Sequence, residues 1–145
     1  MNAPAVRLVS AAVGVLVAAI VYVVASRVLD LAIHVSAGRL DFALNLTHFV
    51  VVTAAILVLA LVVAAVMERR AVHPQRAWLL FSFAGLVLSL VPTLLLVDGF
   101  AARGMLVLAH VGVATVVIPA IAATLAVENP QEGGGAAPHP PVQTA

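Results

Sequence analysis

"MLVLAHVGVATVVIPAIAATLAV", Met105 to Val127, is an uncharged apolar run that carries one histidine, His110, and one proline, Pro119. At 1.5 Å per residue a helix of this length crosses the roughly 30 Å hydrocarbon layer of a bilayer, which takes about 20 apolar residues. A transmembrane β-strand needs about half that length and alternates polar with apolar residues, and this run does neither. The stretch therefore reads as a membrane-spanning helix, and its two odd residues ask what they do there.

Working outward, charges divide the chain into four such runs. They are Leu8 to Ser26, Phe42 to Met67, Ala77 to Val97 and Gly104 to Val127. The spans within them are placed at about 8–26, 46–67, 77–97 and 105–127. The fold class read from this pattern is an all-α membrane protein, a bundle of four transmembrane helices occupying residues 1–127. Of the 145 residues, 64% are hydrophobic and 9% charged, against about half and a quarter in soluble domains. Residues 128–145, "ENPQEGGGAAPHPPVQTA", hold few large apolar groups and are expected to be a disordered tail. The net charge of +1 offers no basic surface for nucleic acid, and the absence of cysteine excludes disulfides and thiolate chemistry. Arg7, the first apolar run and "VVAS" (Val23 to Ser26) also imitate a signal peptide cut after Ala25, but the run is longer than such a segment needs.

Four spans put both termini on one side. Arg7, Arg69, Arg70 and Arg76 lie there, against Arg27, Arg39 and Arg103 on the other, so both termini are expected in the cytoplasm. Trp78 and Tyr22 then read as headgroup-level anchors near span ends.

Close packing in lipid relies on small side chains at helix contacts. Ser10, Gly14 and Ala18 recur at four-residue spacing in the first span, Gly85, Ser89 and Thr93 in the third, and Ala60 with Ala64 in the second. Pro92 and Pro119 each remove a backbone donor and are read as bends that fit the bundle.

The candidate site residues lie towards the other end. Asp41, Asn45 and His48 would share a face if all three were helical, and Asp30 with His34 would align if the long connection formed an interfacial helix. His110 lies deeper, in the same half. Imidazole and carboxylate ligate zinc, copper or iron, and paired histidines ligate haem. His48, Asp41 and His110 are thus the candidate metal ligands, and His110 with His48 the candidate cofactor residues, although no metal motif is present and no cofactor is expected. The competing reading is a hydrated helix end around His48 and a hydrogen-bonded imidazole at His110.

"MERRAVHPQRAWLLFSFAGLVLSLVPTLLLVDGF" (Met67 to Phe100) followed by "LVLAHVGVATVVIPAIAAT" (Leu106 to Thr124) resembles a family of small bacterial four-span membrane proteins of unknown function. The shared features are the basic "ERR" turn, a third span ending in Leu, Ser and Pro, and a last span running from His110 to Ile118–Pro119. The resemblance implies a multi-pass protein of the bacterial plasma membrane and brings no catalytic residue. The function expected is a non-enzymatic bundle that sits in the lipid bilayer and associates with itself or another membrane protein. The alternatives are a metal- or haem-binding redox or transport component, and a small-solute transporter acting as an oligomer.

Overall fold

A computed structural model describes residues 2–31, 33–37 and 40–126. Arg39, Val127 and the expected tail, with His139, lie outside the described residues. Among the described residues four helices are long and apolar enough to cross a membrane, and together they form a helical bundle. They are α1 (Ala3–Val23, continued by a π-helical turn at Val24–Val28), α2 (Leu46–Arg70), α3 (Pro74–Leu96) and α4 (Phe100–Ala126).

Local chemistry sets the ends. Asn2 caps α1 by accepting the Ala5 N–H at 3.2 Å, with Pro4 in the first turn, where its missing N–H costs nothing. Asp30, at φ 50°, closes the π-helical turn in the left-handed conformation that Asp and Asn tolerate. Asn45 caps α2 by accepting the His48 N–H at 2.9 Å.

The long connection is not the interfacial helix expected. It holds an antiparallel hairpin, β1 (His34–Ala37) paired with β2 (Leu40–Ala43) in the register His34 to Ala43. The hairpin ladder is extended by one bond at its base and tied to the end of α3 by another. The Leu44 N–H donates to the Ile33 carbonyl at 2.8 Å, and the Asp98 N–H donates to the His34 carbonyl at 3.1 Å, beside a bridge between Val35 and Val97.

The central pair is α1 against α4, with α2 on α1 and α3 on α4; α2 and α3 meet only sparsely. Gly14 stands where α1, α2 and α4 converge. A Cβ there would come within 2.8 Å of Val117 Cγ2 and 3.2 Å of Leu57 Cδ1, so glycine is what lets the backbones approach. Ala18 and Ala64 are buried on α1 and α2. Gly85 is exposed, with open space where its Cβ would stand, and of its stripe Thr93 is buried while Ser89 is half-buried.

Two apolar clusters fill the bundle. One, at the end bearing Arg7, joins Leu57, Ala64, Trp78, Val117, Ile121 and Leu125. The other, at the hairpin end, joins Ala25, Ile33, Val97, Ala102 and Leu106. Ala25 is 0% exposed at the heart of the second, so cleavage after it would strip the bundle of its most heavily packed helix.

Candidate functional site

Among the described residues, one side-chain hydrogen-bond network joins three of the helices. Arg7 lies on the first turns of α1, Glu68 near the end of α2 and Thr124 near the end of α4, all at one level of the bundle. The Arg7 guanidinium donates from Nη1 to Glu68 Oε2 at 2.6 Å and from Nη2 to Glu68 Oε1 at 3.0 Å. Its Nε–H donates to Thr124 Oγ1 at 2.8 Å. Such a two-pronged pair is the geometry for which guanidinium is shaped. Thr124 passes its own hydroxyl proton to the Ile121 carbonyl at 2.7 Å, so it presents a lone pair to Arg7. Ser10 Oγ donates to the Arg7 carbonyl at 2.8 Å and steadies the same turn. The side chains of Arg7 and Glu68 are 10% and 24% exposed, so the pair is largely withdrawn from solvent.

Arg7, read from the sequence as one of the basic residues flanking the spans, is thus also the centre of a clasp between three helices. A guanidinium in an apolar environment needs a counter-charge and full hydrogen bonding, and Glu68 and Thr124 provide both. The signal was present in the sequence as two opposite charges at matching depth on antiparallel spans.

Trp78 is also placed differently from expectation. It is 2% exposed and inserted against α4, where Nε1–H donates to the Ile118 carbonyl at 3.1 Å, directly before Pro119. It packs against α4 one residue before Pro119 and is buried in the bundle, so it is not an exposed anchor at the helix end. Tyr22, in contrast, stays partly buried beneath the hairpin. Its hydroxyl donates to the Leu44 carbonyl at 2.6 Å, and its ring lies 5.5 Å from that of Phe49.

The structure scatters the candidate ligands. Asp41 belongs to β2, Asn45 is a helix cap and His48 sits in the first turn of α2, so the three do not share a helical face. His48 is exposed, and at about 100° per residue it falls on the side of α2 opposite buried Leu57. Asp30 and His34 are separated by the turn into the hairpin.

His110 is half-buried on α4 and shares a face with Leu106, Val113 and Val117. Its Nδ1 lies 2.7 Å from the Leu106 carbonyl, which can only accept, so Nδ1 carries a proton there and Nε2 is left for another partner. His110 and His48 therefore do not converge within one chain. Among the described residues no group of three His, Cys, Asp or Glu is placed to hold a metal ion. At the hairpin end, Arg103 Nε donates to the Val97 carbonyl at 2.6 Å and closes the corner between α3 and α4.

Four apolar helices gathered into a bundle fit an integral, multi-pass membrane protein. No curated protein and no solved structure matches the chain. The chain belongs to the family of unknown function DUF6069, whose model matches residues 2–127.

Proposed function

We propose that the chain is a non-enzymatic helical bundle of the bacterial plasma membrane, with both termini cytoplasmic, that associates with itself or with another membrane protein. The observation that carries this reading is how the polar groups inside the bundle are used. Arg7, Glu68 and Thr124 clasp three helices, Trp78 holds α3 to α4, and Tyr22 holds α1 to the chain between the hairpin and α2. These contacts join helices to one another and build the scaffold. Support for a partner in the membrane comes from α2 and α3, which leave most of their apolar surface facing outward. The proposed orientation is supported by Arg7 together with the exposed Arg69, Arg70 and Arg76 around one short turn.

The test is affinity purification from native membranes in mild detergent, with metal analysis and an absorption spectrum of the same sample. The reading expects copurification of a stoichiometric membrane partner or a defined oligomer, with no haem band and no stoichiometric metal. A monomer carrying either cofactor would overturn it.

A second reading has one observation in its favour. The Nδ1 bond of His110 leaves Nε2 as the nitrogen open to a ligand, the arrangement in which histidines serve metals and haem. Because His48 points away, a centre built on His110 would be completed by a second chain. Loss of a haem band or of bound metal in His110→Ala would establish it.

A further inference from the structure

The turn between α2 and α3 gathers three arginines. Arg69 and Arg70 close α2, three residues follow, and Arg76 stands in the first turn of α3. All three are exposed. None of them pairs with a carboxylate among the described residues, and Ala71, Val72 and His73 between them bring no acid. The acid nearest in sequence, Glu68, has both carboxylate oxygens on Arg7. Asp30, Asp41 and Asp98 lie at the hairpin end.

Their depth points to what meets them. About 20 residues cross the hydrocarbon, and the arginines stand at the ends of helices of 25 and 23 residues that are apolar enough to span it. Their guanidiniums therefore reach the level of lipid phosphates, and each is shaped to hold a phosphate through two parallel N–H bonds.

Below the turn there is room for a chain. The seam between α2 and α3 is the sparsest between helices consecutive in sequence. Gly85 lies seven residues beyond Trp78, about 20° from it around the helix, and so close to the face that Trp78 turns into the bundle. Trp78 is buried, whereas Gly85 is exposed and a Cβ on it would meet nothing within 4 Å. Ser82 and Ser89 on the same face are half-buried. The bundle is thus closed at Trp78 and open beside Gly85, roughly 13 Å from Arg76 along the helix.

We propose that this turn is a binding site for an anionic phospholipid. The phosphate lies against Arg69, Arg70 and Arg76, and one acyl chain runs along the seam between α2 and α3 into the recess beside Gly85. The arginines select the headgroup, because a zwitterionic lipid brings its own cation to the same place. The site rests on the helices spanning a bilayer, and neither on which side the turn faces nor on any protein partner.

The test uses the purified full chain in neutral detergent, where the arginines no longer act on insertion. Phosphatidylglycerol or phosphatidylcholine is added and bound lipid is counted by native mass spectrometry, with all variants at matched helical circular dichroism. The wild type is expected to hold phosphatidylglycerol at least about tenfold more tightly. Arg69→Gln, Arg70→Gln and Arg76→Gln are each expected to weaken that preference by up to about fivefold, and the triple variant to abolish it. Arg27→Gln, at an exposed arginine of the hairpin end, is expected to leave it unchanged. Gly85→Leu fills the recess and is expected to weaken phosphatidylglycerol binding while the headgroup preference persists. Equal binding of the two lipids by the wild type overturns the proposal, as does a preference that survives the triple substitution or falls as far in Arg27→Gln. Undiminished binding in Gly85→Leu overturns the placing of the chain.

Discussion

Consider replacing Glu68 by leucine. Arg7 would keep Thr124 as an acceptor for Nε but lose both carboxylate oxygens at 2.6 and 3.0 Å, leaving its terminal nitrogens uncompensated in a largely buried position. Breaking a fully buried ion pair by removing one partner costs about 3–5 kcal/mol. Glu68 is 24% exposed, so the low end applies, about 3 kcal/mol, or more than a hundredfold in the folding equilibrium. Arg7→Met should cost less, about 1–2 kcal/mol, because the partly exposed Glu68 can recover water. The double variant replaces the pair by apolar side chains of similar length and should lie within about 1 kcal/mol of the wild type. Reversible unfolding in mixed micelles measures all four forms, and Trp78, the single tryptophan, reports from the adjoining cluster. The coupling expected between the two sites is about 3–5 kcal/mol. Glu68 makes further interactions, so its single substitution alone does not isolate the pair, and the cycle does. If the two single effects add to within about 0.5 kcal/mol, the clasp is not what holds this end of the bundle together.

Gly14→Ala should destabilise by about 1–3 kcal/mol, since the new methyl meets Val117 at 2.8 Å, whereas Gly85→Ala meets open space and should be neutral or stabilising by up to about 1 kcal/mol; thermal unfolding of both in one detergent checks the contrast. Tyr22→Phe removes the hydroxyl bond to the Leu44 carbonyl and should cost about 1 kcal/mol, seen as faster amide exchange at Leu44 with α4 amides unaffected. Thr124→Val should weaken the clasp by about 1–3 kcal/mol without abolishing it, because the carboxylate bonds to Arg7 remain; the unfolding assay used for Glu68 reads this directly.

The four helices were legible because their signal is cumulative: each is a long run in which a single charge would have stood out. The hairpin was not, because its strands are four residues each and the spacing of Asp30 and His34 suggested a helix. The cue that could have found it is "HVSAGRLDFA", two short runs either side of Gly38–Arg39, the residue pattern of a two-residue hairpin connection. Asn45 was grouped with Asp41 and His48 by spacing, although a residue of its type just before an apolar run is a capping signal. Arg7 and Glu68 were each legible as charges at span ends, but pairing is a property of depth and rotation, which one-dimensional charge counting discards. Trp78 illustrates the same loss. Its position near a span end was read correctly, while its rotation towards α4 depends on a tertiary contact.

The bundle depends on α1 being a permanent member, packed against α4. A Cβ on Gly112 would lie 3.1 Å from Val17 Cγ1, close enough for the two positions to meet the roughly 3.5–4.5 Å Cβ separation of a disulfide. Val17→Cys with Gly112→Cys, in a chain with no other cysteine, should form an intrachain disulfide on mild oxidation in native membranes, giving a monomer of intact mass with α1 still attached. No crosslink, a crosslink only between chains, or a mature protein that begins after Ala25 would contradict the account.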